Sequence, residues 1–108
     1  MTRHVNAFEA VLEPYDLDAS EVVAGDPTTS ELEVTSVGGV GVGIWQITPG
    51  SVTDVEKDEV FVVLSGEGTI TFADGEVVEL APGSLVRLNA GESTVWEIRS
   101  PLRQVYAV

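Results

Sequence analysis

Turn-forming dipeptides recur at short intervals through the second half of the chain, and this spacing constrains the fold more than any other feature. Beyond residue 66 the intervals are about 8–10 residues, which is typical of short antiparallel strands in a sandwich or barrel. The chain has 108 residues, enough for one domain. The turns are Pro49-Gly50, Ser65-Gly66, Asp74-Gly75, Pro82-Gly83, Ala90-Gly91 and Ser100-Pro101.

The apolar segments between these turns predict the strands of a single all-β domain spanning residues 1–108. Residues 1–39 read as N-terminal strands and loops, with short strands at Val22–Ala24 and Glu31–Thr35 and at most one short helix, at Val5–Leu12. Residues 40–108 read as the barrel core, and Asp74-Gly75 suits a tight hairpin turn. The core strands are expected at Val40–Thr48, Glu59–Leu64, Gly68–Phe72, Glu76–Leu80, Leu85–Leu88, Thr94–Arg99 and Leu102–Val108.

The charge balance excludes several classes of partner. The chain carries 18 acidic and five basic side chains, a net charge of −13. Binding to nucleic acid or to an anionic membrane depends on basic side chains, so neither partner is expected. There is no cysteine for a disulfide or a thiolate metal site, and no apolar run approaches the length of a membrane span. A soluble cytoplasmic protein is the prediction, whose acidic surface serves solubility or attracts a cationic ligand or metal.

Several short motifs, in order, carry a resemblance to a known superfamily. They are Gly43-Ile44-Trp45, Thr48-Pro49-Gly50, the segment 58–66, the segment 82–86, Ala90-Gly91, Thr94-Val95-Trp96 and the segment 102–106. From Trp45 onward the chain resembles the cupins, and most closely the small single-domain cupins related to ureidoglycine aminohydrolase. The resemblance implies a double-stranded β-helix, or jelly-roll barrel. For that branch it also implies Mn-dependent deamination in purine breakdown.

The same resemblance implies a metal site that this sequence has altered. Cupins hold a metal with two histidines and a glutamate from one motif and a histidine from a second motif. Glu59 falls on the glutamate, whereas Thr94 falls on the later histidine. The two earlier histidine positions fall on Val52 and Asp54, or on Thr53 and Val55 if the loop differs by one residue. The single histidine, His4, precedes the barrel.

The chemistry of these residues predicts that no histidine-held metal is present. Transition metals prefer imidazole or thiolate ligands, and the barrel motifs offer neither. The alternative is a weak oxygen-ligated site for Mn or Mg, formed by Glu59 and Asp54. We therefore expect no cofactor, with such a cation as the alternative.

Strand alternation predicts which side chains meet inside the barrel. If Glu59 points inward, Phe61 shares its face, and Thr94 shares its face with Trp96 in the same way. Together with Trp45 and Asp54 these side chains form the predicted ligand-binding site, with Glu59 as the best catalytic candidate. The alternative is that side chains fill the barrel and leave no cavity.

Three functional hypotheses follow. The leading one is a cupin of uncharacterised function that binds a small molecule in its barrel without a histidine-ligated metal. The second is a metal-dependent enzyme resembling ureidoglycine aminohydrolase. The third is a dimeric structural or regulatory module with no ligand. A homodimer is expected and is compatible with all three.

Overall fold

The computed structural model describes residues 3–108 and consists almost entirely of antiparallel strands. The one helical element is a single 3-10 turn at Ala19–Glu21. In chain order the strands are β1 Glu13–Tyr15, β2 Val22–Gly25, β3 Thr29–Val37, β4 Val40–Ile47, β5 Gly50–Val55, β6 Glu59–Phe72, β7 Val77–Leu80, β8 Leu85–Leu88 and β9 Ser93–Ala107.

Two long strands, β6 and β9, pair with each other over most of their length and give the sheet its curled form. The first half of β6 pairs with β8, and its second half pairs with β7. The first half of β9 pairs with β5, and its second half pairs with β4. The strands β3 and β1 extend the edge beyond β4, and β2 extends the edge beyond β5. Each long strand therefore belongs to both halves of a β-barrel.

Two of the predicted strand boundaries are wrong. Ser65-Gly66 and Ser100-Pro101 were expected to separate strands, but each lies inside a continuous one. The β6–β9 register shifts at three points between Val63 and Gly68. Such irregularities bend a strand without ending it, which is how one strand passes from one sheet to another.

The remaining predicted strands lie close to their observed positions, with two omissions. Val22–Ala24 and Glu31–Thr35 correspond to β2 and to the middle of β3. No strand is expected from the sequence at β1 or at β5, yet both pair with other strands.

The possible helix at Val5–Leu12 does not form, and the chain makes one turn at residues 7–9. The Asn6 carbonyl accepts from the amides of Glu9 and Ala10, and the Asn6 side chain accepts from the Phe8 amide. A side chain that takes a backbone donor in this way competes with a continuing helix. Within residues 3–108 no helix has the length and apolarity needed to cross a membrane.

The barrel interior is a single apolar cluster that occupies the middle of the sheet. Alternate residues of β6 and β9 point into it, as the period of two predicts. Phe61 and Val63 of β6 are each 1% exposed, and Trp96 and Ile98 of β9 are each 5% exposed. The other members are Ile47, Val52, Ile70, Phe72, Leu80, Val86, Leu88, Leu102 and Tyr106.

Candidate functional site

A cavity of about 300 Å³ lies next to this apolar cluster. Its wall is built by side chains of six strands together with the segments between β1 and β2 and between β5 and β6. The strands contribute Glu31, Trp45, Val52, Asp54, Glu59, Trp96, Gln104 and Tyr106, among others. The barrel is therefore neither filled completely nor hollow throughout.

Four of the six predicted ligand-binding residues line this cavity, and two lie behind its wall. Trp45, Asp54, Glu59 and Trp96 are in the lining. Phe61 and Thr94 are each 1% exposed and support the lining from behind. The Phe61 ring stacks on Trp96, with their centroids 5.5 Å apart. The assignment of these residues to ligand binding stays a prediction.

The aromatic part of the wall is formed by two tryptophans and two tyrosines. The rings of Trp45 and Trp96 meet edge to face, with their centroids 5.7 Å apart. The Trp45 Nε1 donates to the hydroxyl of Tyr15 at 2.7 Å. Burial raises the pKa of Tyr106, and the hydrogen bond that its hydroxyl donates to the Glu31 carboxylate adds to the rise. These hydrogen bonds fix the orientation of the rings that face the cavity.

A buried carboxylate, Glu56, lies at the base of the site and was not among the predicted site residues. Thr94 Oγ1 donates to Glu56 Oε2 at 2.6 Å, and Trp96 Nε1 donates to the same oxygen at 3.1 Å. Burial raises the pKa of Glu56, and the two hydrogen bonds oppose this rise. The segment 54–58 contains one apolar residue, Val55, in an otherwise charged run. No apolar periodicity in the sequence therefore signalled burial, yet Glu56 is 7% exposed.

Glu59 combines partial burial with several negative neighbours. Burial raises the pKa of Glu59 to about 7, and the charges of Glu56, Asp54 and Glu31 contribute to the rise. Lys57 acts in the opposite direction. The side chain of Arg87 forms an ion pair with Asp58 and reaches only the backbone carbonyl of Glu59, not its carboxylate. Glu59 therefore titrates near neutral pH and can exchange a proton with a bound molecule.

Gln104 is the second residue that the sequence reasoning missed. It is 3% exposed, and its Oε1 has no hydrogen-bond partner within residues 3–108. The residue lies on the inward face of β9 between Leu102 and Tyr106, which are both buried. A polar side chain at a position of β9 that alternation turns inward is the signal in the sequence that would have identified it.

The residues at the expected metal positions do not fit a transition metal. Val52 and Asp54 of β5 pair with Trp96 and Thr94 of β9, which favours the first of the two predicted registers. Val52 offers no ligand atom, and the Thr94 hydroxyl is already bonded to Glu56. Within residues 3–108 no three histidine, cysteine, aspartate or glutamate side chains converge as a metal-binding group. The donor set lacks the imidazoles that such a metal requires.

The barrel formed by two long strands shared between both halves, with a cavity beside its core, places this protein in the cupin class. The model of the EutQ-like cupin domain family matches residues 34–106. The chain therefore belongs to the EutQ-like cupin domain family. Comparison with the curated proteins gives no match.

Solved structures confirm the fold at low sequence identity. A protein of unknown function from Pseudomonas syringae pv. tomato superposes with a TM-score of 0.81 at 20% identity, over 92% of this chain and 44% of that one. The Clostridium difficile EutQ protein gives a TM-score of 0.64 at 17% identity, over 86% of this chain and 79% of that one. Ectoine synthase from P. lautus gives 0.64 at 25% identity, over 85% of this chain and 66% of that one.

Proposed function

We propose that this cupin binds a small molecule in the cavity beside its core, without a histidine-held metal. The observation that carries the proposal is the cavity itself, at about 300 Å³ and walled by Trp45 and Trp96. This volume lies at the lower end of the range for ligand pockets, which are typically concave and partly aromatic. A molecule of modest size is the expected occupant.

The geometry of the wall supports binding more than a purely structural role. Hydrogen bonds orient the two tryptophans, and a stacked Phe61 supports Trp96. Rings held in this way lose little freedom when a ligand binds, which reduces the entropic cost of association. A structural module would gain more stability from a filled interior, since an unfilled cavity destabilises a core.

The two tryptophans make a direct test possible. They are the only two in the chain, so a proton–nitrogen NMR spectrum contains two indole signals. We would titrate the protein with a set of small cationic, neutral and anionic compounds, after assigning the signals with a Trp45→Phe variant. Both indole signals should shift with at least one compound, while the amide signals of the turn Asp74-Gly75 stay unchanged. If no compound of any charge moves the indole signals, the binding proposal is wrong.

The finer predictions made from the sequence rank below this proposal. Mn-dependent deamination of the ureidoglycine aminohydrolase type is not favoured, because the required histidine positions hold Val52, Asp54 and Thr94. An oxygen-ligated Mn or Mg at Glu59 and Asp54 remains the alternative cofactor. Homodimerisation and a cytoplasmic location stay predictions.

A further inference from the structure

The charged side chains around the cavity are almost all of one sign. Lys57 is the single basic side chain among the described residues that line it. Charge of one sign in a concave site concentrates ions of the opposite sign. Acidity alone also serves solubility, so a second observation is needed to indicate a ligand. The carboxylates in the lining are Asp16, Asp18, Glu21, Glu31, Asp54, Glu56 and Glu59.

Gln104 provides that second observation. Its amide oxygen is buried against the cavity and accepts no hydrogen bond from residues 3–108. Buried polar atoms are nearly always satisfied, so an unsatisfied one calls for an explanation. An acceptor in this position needs a donor, and the cavity is where a donor can approach it.

The polar hydrogens of the two tryptophans and of Tyr106 are already committed within the protein. Trp45 Nε1 donates to Tyr15, and Trp96 Nε1 donates to Glu56. The hydroxyl of Tyr106 donates to Glu31. What remains for a ligand is mainly acceptors and aromatic surfaces, with the Tyr15 hydroxyl and Lys57 as donors among the described residues of the lining.

We propose that the cavity binds a small organic cation that carries N–H donors, that is, a protonated amine or an amidinium. The carboxylates supply charge complementarity, and Gln104 Oε1 accepts one N–H of the ligand. The tryptophan rings suit the carbon atoms next to the nitrogen and attract the positive charge itself. This inference rests on the proposed binding function and names the class of ligand.

A matched set of probes separates charge from hydrogen bonding. We would titrate n-butylammonium, butyltrimethylammonium, n-butanol and butyrate, and follow the indole signals of Trp45 and Trp96. Butylammonium should bind at least about 10-fold more tightly than butanol or butyrate, because only it combines charge with donors. Butyltrimethylammonium should fall between them, since it has the charge but no N–H group. Equal or tighter binding of butanol or butyrate would overturn this inference and leave the binding function standing.

Two variants with a matched control locate the effect. Gln104→Met removes the free acceptor at nearly constant volume, and should weaken butylammonium about 5-fold without affecting butyltrimethylammonium. Glu59→Gln should weaken both cations, because it removes charge from the wall. Glu79→Gln removes a carboxylate that forms an exposed ion pair with Arg99, and should change neither affinity.

Stability measurements test whether partial unfolding of a variant, and not the loss of a contact with the ligand, causes its weaker binding. Gln104→Met should leave the thermal midpoint unchanged or raise it, because the variant removes a buried unsatisfied atom. A Gln104→Met protein that is stably folded and binds butylammonium as tightly as the natural protein would contradict the role of Gln104. If Glu59→Gln and Glu79→Gln weaken the binding of butylammonium equally, the carboxylates of the cavity wall are not what attracts the cation.

Discussion

One buried carboxylate, Glu56, is held by hydrogen bonds from two residues of a single strand. Thr94 lies where the cupin resemblance implies a histidine, and its hydroxyl donates to Glu56 instead. Trp96, two residues further along the same face of β9, donates to the same oxygen. Two donors from one strand therefore hold a buried carboxylate from the segment before β6. A charge-assisted pair of this kind is among the stronger hydrogen bonds in proteins.

Glu59 should make the stability of the protein depend on pH. Its pKa is about 7 in the folded protein and 4.5 as an ordinary value. The facing groups are Asp54 of β5, Glu31 of β3, Tyr106 of β9, and Glu56 and Lys57 of the preceding segment. Because the folded-state pKa is raised, the contribution to stability is complete below the unfolded value. It is lost as the pH rises through about 7.

The variant Glu59→Gln tests this dependence. Glutamine mimics the protonated acid, so the variant should match the natural protein near about pH 4.5 and exceed its stability at about pH 8. The expected difference is on the order of 1 kcal/mol, after allowance for solvent screening of a partly exposed group. Urea unfolding at both pH values measures it, with Glu79→Gln as the control. An equal loss of stability with pH in both variants would refute the assignment to Glu59.

The predictability of the site differed between residues for physical reasons. The cupin resemblance placed Glu59 and Thr94 on inward faces, and alternation along the strand extended this to Trp96, because the period of two is strict. Glu56 lies outside regular structure, so no periodicity applied to it. The close approach of Gln104 to Trp45 depends on the pairing of β9 with β4, which sequence alone did not specify.

At the scale of strands, turns were predicted more reliably than bends. Asp74-Gly75 lies in the turn that joins the hydrogen-bonded strands β6 and β7, as its turn chemistry predicts. Ser65-Gly66 has a similar composition but lies within β6. The two glycines share nearly the same conformation, with φ of 95° at Gly66 and 93° at Gly75. What distinguishes them is the opposing strand, and that information is not local.

Alanine at these two glycines should therefore have very different effects. Gly75→Ala strains the backbone but meets no atom within 4 Å, so it should cost about 1 kcal/mol. In Gly66→Ala the new Cβ would clash with the backbone oxygen of Pro101, so β6 and β9 would have to separate. The cost should exceed that of Gly75→Ala by at least about 2 kcal/mol. Urea unfolding of both variants gives the comparison, and equal costs would show that the bend is not tightly packed.

At the scale of the whole molecule, the net charge of −13 opposes compaction. The like charges repel one another in the folded state, and salt screens that repulsion. Raising NaCl from about 20 to 500 mM near neutral pH should therefore increase the free energy of unfolding by about 1 kcal/mol, or the thermal midpoint by roughly 5 °C. Calorimetry at each salt concentration measures the shift.

The matched control is the same salt series near about pH 4, where many of the carboxylates are protonated. Repulsion is weak there, so the effect of NaCl should be much smaller than at neutral pH. An equally large effect at both pH values would indicate that salt acts through hydration of apolar surface and not through charge.

The position of β9 in the chain also has a consequence for how the protein is made. β9 pairs with β4, β5 and β6, and within residues 3–108 it is the one strand that lies between β4 and β5. These partners lie far from β9 in sequence, so their pairing requires the closure of long loops. During translation the edges of β4, β5 and β6 that pair with β9 stay unpaired until β9 has left the ribosome. The nascent chain is therefore most exposed to aggregation just before synthesis of this strand is complete.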